Sequence, residues 1–190
     1  TGRRPATDGL NLAAAHVETT KRGAVVVDEL LRTTQPGIWA MGDVAGGLQF
    51  TYVSLDDYRI VASQLRGGDY TAAKRKNVPY SVFMATPFSR VGLSEAEARK
   101  AGYDVKVSIL PVPAIPKAQV LRKTGGMLKA IVDGGSNRIL GAALLCEASY
   151  EMINIVKLAM DLDAPYTALR DQVFTHPTMS EALNDLFTLS

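Results

Sequence analysis

A histidine and a carboxylate near the end of the chain have the residue types and the spacing of an acid/base pair. His176 precedes Pro177, and Glu181 follows at the start of a short apolar segment. An imidazole exchanges protons near pH 7, and a nearby carboxylate would fix its tautomer and stabilise its charged form. A structural alternative exists, because Thr178 and Glu181 match the T-x-x-E capping box, in which the glutamate bonds its own helix start. On these residues alone, the two interpretations are equally supported.

A second candidate site lies in residues 36–47, where a short apolar run ends in Gly42-Asp43 and a glycine-rich turn. A buried strand followed by a tight turn and one acid is where nucleotide-binding α/β sheets hold their ligands. The Asp43 carboxylate would accept hydrogen bonds from a sugar or ribitol hydroxyl. Gly-Asp also marks many ordinary turns, so only its order and spacing relative to His176 make it specific.

The composition predicts a globular protein with a sizeable core, since 47% of its 190 residues are apolar. Its 21 basic and 19 acidic residues give a net charge of +2, too balanced to favour nucleic acid or membrane binding. Two histidines and one cysteine offer no metal-ligand spacing, so no metal site is predicted. The single cysteine, Cys146, fits a reducing, cytoplasmic location, and its apolar neighbours predict an inert, buried thiol.

Two domains are predicted, covering residues 1–70 and 71–190. The first contains two predicted strands, 25–27 and 38–41, and a helix that opens at Ser54, with Asp57 as its capping partner. A polar, basic stretch follows this helix and is taken as the boundary, with Lys74-Arg75-Lys76 as a solvated linker.

The second domain is predicted to be built around strands and a hairpin. Ser94 and Glu97 form a capping box for a short helix, and Gly134 to Asn137 form the turn of the hairpin. A helix over 148–161 is apolar nearly all round, which indicates burial in the core or at a subunit interface. The predicted strands are 78–84, 105–112, 127–133 and 138–145.

Several stretches together resemble the pyridine nucleotide-disulfide oxidoreductases, the group of glutathione reductase and dihydrolipoamide dehydrogenase. Residues 23–43 resemble the closing part of that family's FAD domain. Three further stretches resemble the family's dimerisation domain: residues 91–98, 126–145 and 176–181. Residues 49–59 and 151–157 look most like a bacterial subgroup linked to resistance against reactive chlorine species and hypothiocyanous acid. The implied fold class is α+β, an antiparallel-sheet dimerisation domain with flanking helices, preceded by the carboxyl-terminal piece of an FAD-binding α/β domain.

The resemblance also implies roles for single residues. His176 matches the histidine that exchanges protons with the redox thiols of the opposite subunit, and Glu181 matches its carboxylate partner. Asp43 matches the aspartate that holds the FAD ribitol, with Gly42 allowing close backbone approach. The residues that match the lining of the flavin ring are Gln49, Phe50 and Thr51. The His176–Pro177 bond is a candidate cis peptide, since a tight turn here would aim the ring.

The implied cofactors are FAD and, in the intact enzyme, NADPH or NADH, and the implied assembly is a homodimer through residues 71–190. The family's GxGxxG segment and redox cysteine pair do not occur in these residues, so we expect them to be part of a longer enzyme that reduces a small-molecule substrate. Alone, they are expected to bind FAD weakly or not at all and to be inactive. Mercuric reductase is disfavoured by the lack of a carboxyl-terminal cysteine pair. A dihydrolipoamide dehydrogenase-like enzyme and a non-catalytic dimerisation module remain alternatives.

Overall fold

The computed structural model describes residues 2–189, which fold as two compact units. The first unit ends at Arg75 and the second begins at Lys76, whereas the sequence analysis places the boundary between residues 70 and 71. Within the described residues, no helix is both long enough and apolar enough to cross a bilayer.

The first unit contains one long helix, α1 (Thr51–Leu65), and otherwise short turns and bridges. Both strands predicted here are wrong, because the apolar segments pair only as isolated bridges, such as Thr19 with Val25 and Arg32 with Trp39. Three short 3-10 helices complete the unit: Leu12–Ala15, Gly42–Ala45 and Ala72–Lys74.

Helix α1 begins earlier than its sequence predicts. Its N-cap is Phe50, so Ser54 lies within the first turns and does not cap them. The Asp57 side chain bonds outside the helix, to the backbone N–H of Gly42 at 2.8 Å. The predicted capping pair of Ser54 and Asp57 is therefore wrong, because each side chain has another partner: the Ser54 hydroxyl donates to the Phe50 carbonyl.

The second unit is built on an antiparallel sheet of five strands in the order β1-β2-β5-β4-β3. The hairpin is where the sequence predicts it, with β4 matching residue for residue and β5 starting one residue later than expected. The strand predicted over 78–84 is shorter, and forms only the edge strand β1. The strands are β1 (Tyr80–Val82), β2 (Phe88–Gly92), β3 (Val105–Pro111), β4 (Met127–Asp133) and β5 (Ile139–Leu145).

Helices flank this sheet and enclose the core. Helix α2 (Glu95–Lys100) opens with the predicted capping box, in which the Ser94 hydroxyl accepts the Glu97 N–H and the Glu97 carboxylate accepts the Ser94 N–H. Helix α3 (Pro116–Leu121) follows β3. Helix α4 (Ser149–Asp161) lies against β2 and β5 and buries one face, including Met152, Ile153 and Val156.

Two short helices close the second unit. Helix α5 (Thr167–Arg170) contacts α6 (Ala182–Leu186), and α6 also packs against β3 and β4. Leu183 and Leu186 are fully buried in the core, as is Phe187 just beyond the helix. The segment that carries the candidate histidine is therefore anchored at its carboxyl end by apolar packing.

Candidate functional site

His176 and Glu181 are in direct contact. The distance between Nδ1 of the imidazole and Oε2 of the carboxylate is 2.8 Å. The His176 side chain is 70% exposed, whereas that of Glu181 is 15% exposed. The shielded Glu181 carboxylate thus binds the Nδ1 edge of the imidazole, and most of the ring remains exposed.

The segment before α6 keeps only half of the predicted capping box. Thr178 Oγ1 accepts the backbone N–H of Glu181 at 3.3 Å and donates to the Thr175 carbonyl at 2.7 Å. The Glu181 carboxylate binds the imidazole instead of a backbone N–H. The His176–Pro177 peptide bond is cis, as predicted.

This contact defines what the imidazole can do chemically. When the proton is on Nδ1, the ring donates to Glu181 and Nε2 carries the lone pair. Within residues 2–189, no hydrogen-bond partner of Nε2 is found. The pair can therefore accept a proton at Nε2 from an approaching group, and the carboxylate stabilises the resulting imidazolium.

The residues of the second candidate site come together in the first unit. A cleft of about 470 Å³ is lined by eight residues, among them Gly42, Asp43, Gln49 and Thr51. Phe50 lines a second cleft of about 790 Å³, to which Gln49 also contributes. All five predicted cofactor-binding residues thus line two clefts that share Gln49.

The residues at these clefts could bind a ligand that has hydroxyl groups and an electron-rich ring. The Asp43 side chain is 48% exposed, so its oxygens can accept hydroxyl hydrogen bonds. The sequence analysis missed Arg3, whose Nη1 lies 4.0 Å from Asp43 Oδ2. The first turn of α1 starts beside them, and its N-cap, Phe50, has no polar side chain to cap it. Amides of a helix start favour an electron-rich group.

Gly42 has a conformation that favours glycine, with φ of +74°. A Cβ at this position would lie 3.0 Å from Ser54 Oγ, closer than an ordinary contact. We expect Gly42→Ala to lower the free energy of unfolding by about 1–2 kcal/mol, the cost of a left-handed conformation in a non-glycine residue. Urea unfolding measures this loss. The matched control is Gly47→Ala, because Gly47 has open space around it and no positive φ; an equal loss at both positions would contradict the expectation.

Comparisons with known proteins identify the family. The model of the pyridine nucleotide-disulphide oxidoreductase dimerisation domain matches residues 78–187. The chain belongs to the pyridine nucleotide-disulfide oxidoreductase family. A second model of this family, described as pyridine nucleotide-disulphide oxidoreductase, matches residues 1–57. The predicted α+β fold with an antiparallel-sheet dimerisation domain is confirmed, although strand β2 of its five-stranded sheet had not been predicted.

Individual relatives agree with this assignment. The chain is 60% identical, over 99% of its length, to the Escherichia coli (strain K12) protein RclA, described as a probable pyridine nucleotide-disulfide oxidoreductase. The solved structure of the HOCl-induced flavoprotein disulfide reductase RclA from Escherichia coli superposes with a TM-score of 0.97 at 60% identity, covering 99% of this chain. A mercuric reductase of Bacillus cereus is 37% identical over 96% of the chain. The chain spans 43% of the length of both the RclA sequence and its structure, and 29% of that mercuric reductase.

The first unit also contains a cluster of ion pairs that the sequence analysis missed. Arg75 was interpreted as part of a solvated linker, but its side chain is only 20% exposed and bridges Asp56 and Asp57 of α1. A run of three basic residues does not reveal which of them turns inward. The available signal was the pair of adjacent acids, Asp56 and Asp57, in the helix that precedes this run.

Cys146 is a buried thiol of the second unit. It is fully buried, as predicted, and this burial, with a smaller effect of the Glu147 charge, raises the pKa of its thiol to about 12. Because the thiolate is the reactive form, we expect no alkylation of the native protein by iodoacetamide at pH 8. Mass spectrometry before and after urea unfolding measures this, and modification of the native protein at the rate of the unfolded one would contradict it.

Proposed function

We propose that the chain supplies the dimer interface and the acid/base pair of an FAD-dependent NAD(P)H:disulfide oxidoreductase, as part of a longer polypeptide. The observation that carries this proposal is the 2.8 Å contact of His176 Nδ1 with Glu181, which leaves Nε2 directed away from its carboxylate partner. In a dithiol enzyme, the attacking sulfur must lose a proton and the leaving sulfur must regain one. His176 would exchange that proton at Nε2, and Glu181 would hold the ring and its positive charge.

The cofactor would be held by the residues that line the two clefts. Asp43 would accept hydroxyl hydrogen bonds of the FAD ribitol, and Gly42 would let the backbone approach. Gln49, Phe50 and Thr51 would line the flavin ring at the start of α1. FAD, when bound, carries electrons from the nicotinamide, NADPH or NADH, to the disulfide. The 190 residues alone are proposed to bind FAD weakly or not at all and to have no reductase turnover, because they would form only part of the pocket.

The proposed homodimer forms through the second unit, whose surface has apolar side chains that the unit itself does not cover. Leu158 on α4 is 59% exposed, and Leu162 just after this helix is 71% exposed. Val173, in the segment leading to His176, is 91% exposed. Burial of such residues against a second copy is consistent with the dimerisation-domain match and would bring His176 towards the partner.

We further propose that the physiological substrate is a small oxidant, either a reactive chlorine species or hypothiocyanous acid. The support is the 60% identity to a relative whose structure is described as an HOCl-induced flavoprotein disulfide reductase. The expected cytoplasmic location agrees with the buried, unpaired Cys146.

Subunit complementation tests the proposed arrangement. A His176→Asn protein is mixed, under conditions of subunit exchange, with a variant that lacks the redox cysteines but keeps His176. If the histidine of one subunit serves the cysteines of the other, each mixed dimer has one intact site and activity returns. If activity stays at the level of the unmixed variants while mixed dimers form, the proposal is wrong.

A further inference from the structure

Among residues 2–189, Asp57 is the one charged residue that is buried. It is 4% exposed, and the other buried polar residues, Ser89 and Ser149, are uncharged. A carboxylate is costly to remove from water unless its oxygens are satisfied. The cost of burying the Asp57 carboxylate must therefore be offset by specific partners.

Both oxygens of this carboxylate have partners within the first unit. Oδ2 accepts the backbone N–H of Gly42 at 2.8 Å, from a residue 15 positions earlier in the chain. Oδ1 accepts a hydrogen bond from the Arg75 guanidinium. Arg75 Nε also donates to Asp56 Oδ2 at 2.6 Å, and the Tyr70 hydroxyl donates to Asp56 Oδ1 at 2.7 Å.

The bond to Gly42 acts as a cap supplied from outside the local sequence. Gly42 opens the 3-10 helix Gly42–Ala45, and the preceding residue, Met41, makes no side-chain cap bond. The first N–H groups of a helical turn have no partner inside the turn. Asp57 supplies the missing acceptor and so fixes the orientation of the Met41–Gly42 peptide group, one residue before Asp43.

Arg75, whose guanidinium binds the Asp57 carboxylate, keeps its positive charge in this environment. Burial alone would lower the pKa of Arg75, but the hydrogen bonds and charges of Asp56 and Asp57 outweigh it and raise that pKa. Since Arg75 is the last residue of the first unit, the segment leading out of this unit is tied to the helix beside the flavin clefts.

We infer that Asp57, held by Arg75, is a positioning residue that sets the Gly42–Asp43 turn for flavin binding. This inference rests on the proposed function, because it assigns the turn to FAD. Asp57 does not line either cleft and acts through the Gly42 N–H. FAD affinity should therefore depend on a hydrogen-bond acceptor at position 57 and not on its charge alone.

Two double variants of the complete flavoprotein isolate the acceptor. Asp57→Asn/Arg75→Met and Asp57→Leu/Arg75→Met both remove the ion pair, but only the first keeps a side-chain oxygen that can accept the Gly42 N–H. Two quantities are measured: the FAD dissociation constant of the apoprotein, and amide hydrogen exchange of the peptide containing residues 41–47 without FAD. Asp69→Asn is the control, because Asp69 is exposed and pairs only with Lys74.

We expect the leucine variant to bind FAD about tenfold to hundredfold more weakly than the asparagine variant, and to exchange the Gly42 amide faster. The control should match the wild type in both quantities. Equal FAD affinity and equal exchange in the two double variants would overturn the inference, even if both bind FAD. Failure of the wild-type protein to bind FAD would instead reject the proposed function, while the exchange measurement would still test the contact.

Discussion

Replacement of His176 by asparagine should abolish most thiol-dependent turnover of the complete flavoprotein and leave reduction of its flavin by NAD(P)H intact. An asparagine amide can still donate to Glu181, so the local fold is kept, but it cannot exchange a proton near pH 7. Loss of a positioned acid/base group typically lowers the rate by about 10²–10⁴-fold. Stopped-flow absorbance separates the two half-reactions.

His16→Asn provides the matched control for this experiment. His16 is the other histidine of the chain, and it is exposed at the end of the 3-10 helix Leu12–Ala15 in the first unit. The same substitution there should leave both half-reactions unchanged. If His176→Asn is as harmless as His16→Asn, the segment is a structural turn and the second unit is a non-catalytic dimerisation module.

The His176–Glu181 contact could be anticipated because both partners lie in one short segment. Glu181 lies five positions after His176, so a single turn can bring the ring to the carboxylate. What the sequence left open was whether the glutamate would bond its own helix start. The structure decides this in favour of the imidazole, while Thr178 retains the backbone half of the capping pattern.

The cluster around Asp57 could not be anticipated in the same way. Arg75 lies 18 residues from Asp57, and Gly42 lies 15 residues before it, so the contacts depend on how the segments fold back on one another. Local spacing suggested a helix cap for Asp57 and a solvated position for Arg75. Tertiary contacts override both local preferences.

A similar contrast holds for the fold. The β4–β5 hairpin was predicted closely, because its two apolar arms flank a glycine-containing turn and pair with each other. The apolar segment around Val25 was mistaken for a strand. This segment makes only single bridges. The backbone N–H of Val25 donates to the Val44 carbonyl, in the 3-10 helix Gly42–Ala45, and not to a neighbouring strand. Apolar runs of three or four residues carry too little periodicity to separate these cases.

The ion-pair cluster leads to the second large expected effect, which is on stability. Arg75→Met leaves the Asp57 carboxylate, with a side chain 5% exposed, without its cation. Breaking a buried pair by removing one partner costs about 3–5 kcal/mol, and the 20% exposure of Arg75 places this case near the lower end. We expect urea unfolding to show a loss of about 3 kcal/mol in the free energy of unfolding.

Two further variants decide whether the charge of Asp57 is the cause. Asp57→Asn/Arg75→Met removes both charges but keeps an acceptor for the Gly42 N–H, and it should recover most of the stability, since no buried charge is then left without a partner. Lys74→Met changes the neighbouring basic residue, whose partner Asp69 is 96% exposed, and should have no resolvable effect because solvent screens such a pair. If Lys74→Met and Arg75→Met destabilise the protein equally, the basic run acts only as a solvated linker. If this double variant is no more stable than Arg75→Met alone, the unpaired charge of Asp57 is not the cause of the loss.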